Sequence, residues 1–330
     1  MSSDAIQRLR AWPRTSLAAL PTRLVDAPHL AVALGGAPAR IHVKMDAETG
    51  FALGGNKVRK LEFELSPERI EGVTHLITTG GPQSNHCRVT AGAAAHLGRK
   101  CVLVVNGEEP GDPRGNALLH RLFGAEIRTV TGREDRVPAM DAAAAEIEAV
   151  GGHPLIVPLG ASTPHGALGY ALGALELADQ LAELPPVERT WLFVSASSCG
   201  TLAGLLLGIT LLGRTDVTLV GVSADVSAAD MRTGALDLAT AGASLLGWDG
   251  TVPGDLLRCD DTQVGAGYGI VTPAAREAMA LFGRTQGIVL DPVYTGKAAA
   301  GMVDWVRRGR VGPLDRVVFV HTGGHPALLA

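Results

Sequence analysis

Lys57 stands in the run Gly54-Gly55-Asn56-Lys57-Val58-Arg59-Lys60, directly after two glycines and where a helical pattern begins (Val58, Leu61, Glu62, Leu65). Glycines lack the Cβ that restricts φ, so the chain can turn sharply there or approach a ligand closely. An amine beside such a turn, at a helix start, is placed to meet a carbonyl compound that also carries an anionic group. Lysine forms a Schiff base with such a carbonyl when its amine is desolvated or crowded by other cations. The plainer reading is a solvated basic helix start, with Lys57, Arg59 and Lys60 facing water.

Other polar clusters fall where β-rich runs end. Gly80-Gly81-Pro82-Gln83-Ser84-Asn85-His86 follows residues 74–79 and gathers donors at a helix start. That suits a carboxylate or a cofactor hydroxyl, or else Ser84 is an ordinary helix cap. The loop Ser195-Ala196-Ser197-Ser198-Cys199-Gly200-Thr201 follows residues 191–194 and opens another helix. Its amides and hydroxyls suit a phosphate, favoured by the helix dipole, although it is neither a Walker A loop nor GxGxxG. His321-Thr322-Gly323-Gly324 closes a third strand in the same way. Of the three tyrosines, Tyr268 and Tyr294 are flanked by turn residues rather than apolar runs, which favours phenols presented to a site.

The elements that must position these groups alternate along the chain. Strands are expected at 41–44, 74–79, 101–105, 126–130, 155–158, 191–194, 217–222 and 316–321. Helices are expected at 84–97, 115–123, 138–150, 166–184, 201–212, 273–286 and 296–308, and helix assignment is weakest over 224–268. This alternation predicts α/β architecture: two domains with mainly parallel twisted sheets flanked by helices. Strands from 74 to 158 form a compact unit, so a smaller α/β domain is expected over 61–165. The larger domain is then discontinuous, 1–60 with 166–330, and ligands are sought beyond the strand carboxyl ends.

Composition narrows the function classes. The 330 residues are 46% hydrophobic but only 4% aromatic, so the cores are aliphatic. A net charge of -4 without basic runs argues against nucleic acid as a partner. Cys87, Cys101, Cys199 and Cys259 form no CxxC and no metal-like cluster with histidine; they read as reduced thiols of a cytoplasmic protein, with no metal expected. Asp4, Arg8, Arg10 and Arg14 near the N-terminus come without an apolar segment, so no signal peptide is expected. Residues 190–213 carry no charge, a length able to span a bilayer, but the hydroxyl-rich centre breaks the run. A buried strand, a loop and a buried helix are expected there instead, with no membrane partner.

Together the motifs resemble one family: Gly54 through Phe63, Gln83-Ser84-Asn85-His86, Gly166-Ala167-Leu168-Gly169-Tyr170, Leu290-Asp291-Pro292-Val293-Tyr294-Thr295-Gly296-Lys297 and His321-Thr322-Gly323-Gly324. They look like the D-cysteine desulfhydrase and 1-aminocyclopropane-1-carboxylate deaminase group of pyridoxal-phosphate enzymes, of the tryptophan synthase β-like fold (fold type II). The resemblance implies that Lys57 carries pyridoxal 5'-phosphate as a Schiff base. It implies that Asn85 bonds the ring hydroxyl and that Ser84 faces the substrate carboxylate or Cα. Ser197, Ser198, Cys199, Gly200 and Thr201 would cup the phosphate with Lys60 adding charge. Tyr268 and Tyr294 would stand over the substrate, His86 would lie among the substrate contacts, and Thr322 would meet the pyridine nitrogen. A homodimer is implied as well.

A hydroxyl at the pyridine nitrogen leaves the ring a weaker electron sink than a carboxylate would, which suits loss of a good leaving group from Cβ. Deaminases of the group carry a glutamate and a leucine where this chain has Thr295 and Thr322. The resemblance therefore implies α,β-elimination from a small amino acid, D-cysteine above others, to pyruvate, ammonia and sulfide. Ring-opening deamination, elimination of sulfonate from cysteate and β-replacement are the alternatives within the group; a pyridoxal-phosphate-binding protein without turnover is the alternative outside enzymes. Met45, Ala47, Thr163, Ser197 and His325 depart from the family pattern and bear on substrate identity.

Overall fold

The computed structural model describes residues 2–36, 40–107 and 111–330. Its ten strands are β1 (Leu24–Asp26), β2 (Arg40–Lys44), β3 (His75–Gly80), β4 (Lys100–Asn106), β5 (Glu126–Val130), β6 (Pro154–Ile156), β7 (Thr190–Ala196), β8 (Val217–Ser223), β9 (Leu257–Asp260) and β10 (Arg316–Val320). They form two sheets: six strands in the order β1-β2-β10-β7-β8-β9 and four in the order β5-β4-β3-β6. Every pairing is parallel except β1 with β2. Parallel sheets need both faces covered, and the sequence provides for it. All seven residues of β7 and all five of β10 are buried.

Two strands were not foreseen. Both β1 and β9 are edge strands, of three and four residues, too short to show alternation. The weakly read stretch contains an 18-residue helix, Ala228–Leu245, rich in alanine and glycine with only part of one face buried. The charge-free segment divides as expected into β7, a loop and the helix Gly200–Leu211. Among the described residues no helix is long and apolar enough to cross a membrane.

Three helices meet almost backbone to backbone. A Cβ on Gly169, in the helix Pro164–Ala182, would lie 2.1 Å from the Arg59 carbonyl oxygen. One on Gly204, in the helix Gly200–Leu211, would lie 2.2 Å from the Ala167 carbonyl oxygen. No side chain fits either contact, so these glycines set how closely the helix Asn56–Glu64, which carries Lys57 and Lys60, is held.

That helix is anchored by a buried ionic group. The Arg59 guanidinium donates from Nε to Asp46 Oδ2 and from Nη2 to Oδ1, both at 3.0 Å, and reaches Glu176 from Nη1 at 3.0 Å and Nη2 at 2.8 Å. Tyr170 and Thr22 hydroxyls each donate to Asp46 at 2.7 Å, and Lys44 pairs with Glu176. Two acids thus meet two bases, and every charge has a partner, as burial requires. Met45 and Ala47, noted as departures, are buried apolar neighbours of Asp46, which does the pairing between them.

Candidate functional site

In the large sheet Val320 of β10 lies level with Val194 of β7. The two polar loops that leave these strands therefore emerge side by side. Lys57 reaches them because of the glycine pair. Gly54 and Gly55 have φ of 68° and 108°, in the left-handed region that side chains resist. A Cβ on Gly55 would stand 3.1 Å from the Thr322 carbonyl oxygen, and one on Gly323 2.8 Å from the Gly55 Cα. The Asn56 amide donates to that Thr322 carbonyl at 2.9 Å. Strand end and helix start are joined directly.

The resulting pocket is lined by Lys57, Lys60, Asn56, Asn85, Tyr294, Thr322 and the loop from Ser195 to Thr201. No acidic residue lines it, although two lysines do. Burial pushes the Lys57 amine down from 10.5 to about 8, and the Arg88 guanidinium pushes the same way against Asp291. Burial, and then the Lys57 charge, hold Lys60 well below the ordinary lysine range. Lys57 Nζ donates to Asn56 Oδ1 at 3.0 Å, and Asn56 Nδ2 donates to Thr201 Oγ1 at 2.9 Å. An amine near 8 is partly neutral at physiological pH and competent as a nucleophile.

The loop after β7 has the features of an anion cradle. It opens the 12-residue helix Gly200–Leu211, whose first N–H groups face outward from the helix end. Cys199, at the N-cap, has φ 63°, unusual for a residue with a side chain. Lys60 Nζ donates to Ser162 Oγ at 3.3 Å, Ser162 donates to Ser198 Oγ at 2.8 Å, and the Gly200 amide donates to Ser162 Oγ at 3.2 Å. Ser195 Oγ is buried without a partner. Two amines, hydroxyls and a helix N-terminus, with no carboxylate among them, together suit an anion.

Of the residues singled out from the sequence, Lys57, Lys60, Asn85, Ser197, Ser198, Cys199, Gly200, Thr201, Tyr294 and Thr322 all line this pocket. Ser84, His86 and Tyr268 do not. Ser84 caps the helix Asn85–His96, its Oγ accepting from the Cys87 amide at 3.2 Å, which is the plainer of its two readings. The His86 ring is bonded to Thr78 Oγ1 of β3 at 2.8 Å and is buried, so it is engaged within the fold and not with the pocket. Tyr268 is 38% exposed and reaches the site only through its hydroxyl, 2.6 Å from that of Tyr294. The Arg133 guanidinium covers its ring at 5.0 Å from the centroid.

Further residues act on the site without having been given a role from the sequence. Asn116 Nδ2 donates to Asn85 Oδ1 at 2.9 Å, which leaves the Asn85 amide nitrogen as its free hydrogen-bonding group. Asp291 accepts from the amides of Val293, Tyr294 and Thr295 and from the Thr295 hydroxyl at 2.7 Å, fixing the turn that presents Tyr294. Thr295 is fully buried in that turn and does not face the pocket. Two departures from the family pattern also have local accounts. Thr163 caps the helix Pro164–Ala182 through the Gly166 amide at 2.9 Å, and His325 bonds the Val289 carbonyl at 3.0 Å beside His321.

A family profile described as "Pyridoxal-phosphate dependent enzyme" matches residues 15–323. A D-cysteine desulfhydrase of Salmonella choleraesuis (strain SC-B67) is 39% identical over 330 aligned residues, with 98% of both chains covered. The protein of the same name from Salmonella paratyphi C is 38% identical over the same coverage. Among solved structures, an ACC deaminase homologue superposes with a TM-score of 0.88 at 33% identity, covering 100% of this chain and 97% of that one. A threonine deaminase from Solanum lycopersicum, at 15% identity and a TM-score of 0.65, shares the fold.

Proposed function

The chain belongs to the family of pyridoxal-phosphate dependent enzymes, and from that premise we propose that it is a D-cysteine desulfhydrase. The reaction converts D-cysteine and water to pyruvate, ammonia and hydrogen sulfide. The observation that carries the reading is the buried Lys57 amine, pushed down to about 8, beside an acid-free cradle of hydroxyls, the Lys60 amine and a helix N-terminus. A phosphorylated aldehyde fits both halves: the amine for its carbonyl, the cradle for its phosphate. The near-complete coverage by desulfhydrases of 38–39% identity supports the substrate.

In this reading Lys57 holds the cofactor, and Ser197, Ser198, Gly200, Thr201 and Lys60 hold its phosphate. The Asn85 amide nitrogen serves the ring hydroxyl and Thr322 the ring nitrogen. When bound, pyridoxal phosphate supplies an electron sink for negative charge at Cα. Lys57 would be the base that accepts the Cα proton. Ser84 caps the helix that begins at Asn85 and so would orient Asn85 rather than meet the substrate. Burial holds the Tyr294 hydroxyl well above the ordinary tyrosine range, so it stays protonated and can donate to the departing sulfur.

Division into a domain of 61–165 and one of 1–60 with 166–330 is supported by sheet membership, since β3 to β6 all lie in the first. A homodimer is supported by an apolar groove bounded by Leu53, Leu118, Leu119, Pro326 and Leu329, of which Leu53 is 59% and Leu329 75% exposed. The four unpaired cysteines support a cytoplasmic location.

The test is product release from the purified enzyme across D-cysteine, L-cysteine, β-chloro-D-alanine, cysteate and 1-aminocyclopropane-1-carboxylate. Pyruvate with sulfide from D-cysteine should exceed 2-oxobutanoate from the cyclopropane by a wide margin. Equal or greater ring opening would move the chain to the deaminase reading, which the likeness to the ACC deaminase homologue favours.

A further inference from the structure

Lys297 takes no part in the pocket, yet its side chain is wholly buried. It lies in the helix Thr295–Arg307, three residues after Tyr294. Its Nζ donates to the carbonyl oxygens of Ala224 at 3.1 Å, Val264 at 2.8 Å and Gly267 at 2.9 Å. An ammonium has three donors, and here all three end on backbone oxygens. Carbonyl oxygens without a carboxylate partner are the surroundings proteins give a dehydrated monovalent cation.

The three carbonyls come from two places. Ala224 directly follows β8, whereas Val264 and Gly267 belong to the segment 261–270, which has no regular structure and carries Tyr268. Gly265, Gly267 and Gly269 in that segment have φ of 67°, 142° and 78°, and glycine, lacking a Cβ, restrains its own backbone least. The Tyr268 hydroxyl nonetheless meets that of Tyr294 at 2.6 Å. Something must hold a glycine-rich segment in register with a helix, and Lys297 joins the two.

We propose that Lys297 is a positioning residue, its ammonium acting as a tethered internal cation that fastens the Tyr268 segment to the end of β8 and to the helix beside Tyr294. The consequence for turnover rests on the substrate-facing reading of the two tyrosines given above. The consequence for the segment itself does not.

Two variants separate charge from bulk. Lys297→Ala removes the ammonium and leaves room for a small cation, whereas Lys297→Met removes the charge but keeps most of the volume. Holoenzymes of both are compared with the parent in potassium chloride and in tetramethylammonium chloride, whose cation is too large for the cage. Amide hydrogen exchange over 261–270 is read without substrate, and kcat and KM are read with D-cysteine. Both variants should exchange faster there, and turnover should fall by no more than it does in Tyr268→Phe, since the segment reaches the site through that hydroxyl. Potassium should slow exchange and restore turnover in Lys297→Ala alone, while tetramethylammonium does neither. If Lys297→Ala folds only in salt, folding in potassium but not in tetramethylammonium chloride gives the same support. Parental exchange in Lys297→Met, or a Lys297→Ala that potassium leaves unchanged, overturns the proposal. Absence of activity on D-cysteine in the parent, with the exchange pattern as expected, would overturn the substrate and leave the role of Lys297 standing.

Discussion

The hydroxyls of Tyr268 and Tyr294 lie 2.6 Å apart, with their rings edge to face. One phenol hydrogen fills the bond between them, so a single hydrogen remains for a third group. Tyr294 lines the pocket and Tyr268 does not, so Tyr294 is the member that meets substrate.

Tyr294→Phe should therefore slow elimination on the order of a hundredfold, the usual contribution of an acid–base group. Tyr268→Phe should cost less, because Tyr294 keeps its own hydroxyl. Cofactor absorption should be unchanged in both. Steady-state rates with cofactor occupancy measured alongside decide the matter, and parental turnover in Tyr294→Phe would leave that residue a packing group.

Lys57 offers both a chemical and a pH test. Lys57→Met should lose the visible absorption of bound cofactor and all turnover, and borohydride reduction of the parent should label Lys57. In the cofactor-free protein its amine sits at about 8 rather than 10.5. Between those values the unfolded chain holds the extra proton, so folding is progressively favoured as pH rises through that window. Chemical unfolding at pH 7.5 and 10 should show this gain in the parent relative to Lys57→Met. An equal pH response in the two would mean that the amine is not desolvated.

Asp46 is the most exacting position in the buried ionic group. Burial alone would raise its carboxyl, but Arg59, with Lys44 and the Thr22 hydroxyl, outweighs burial and holds it below 3.8. A depressed carboxylate stabilises the fold above 3.8, and that contribution is lost as pH falls through the lower folded value. Asp46→Asn leaves Arg59 half paired, and a broken buried pair costs about 3–5 kcal/mol, with the lower end expected because Glu176 remains. Urea unfolding at pH 7 should show that loss, and the gap between variant and parent should narrow below pH 4. A constant gap would exclude Asp46 ionisation as its source.

The sequence made the site legible wherever chemistry is local. Gly54-Gly55-Asn56-Lys57 holds amine, turn and helix start in one run, and the loops after β7 and β10 advertise hydroxyls at strand ends. Less legible was what arrives from afar. Asn116 sets Asn85 from 31 positions away, and Ser162 bridges Lys60 and Ser198 across the pocket. Neither residue has an unusual neighbourhood in the chain. His86 illustrates the opposite error: it adjoins Asn85 in the chain, but successive residues on a helix point about 100° apart, and its ring meets Thr78 instead. Edge strands β1 and β9 escaped because three or four residues cannot display a period.

The last strand in chain order, β10, lies inside the large sheet between β2 and β7. During synthesis on the ribosome the small sheet has all its strands once residue 156 has emerged. The large sheet stays split into two halves with open edges until residue 320 is out. Thr322 follows immediately, so the pocket it lines closes only once the chain has emerged through β10. A nascent or prematurely terminated chain would expose the inner edges of β2 and β7, the kind of edge that recruits other strands and aggregates. Folding order thus makes a closed pocket the mark of a chain that has emerged through β10.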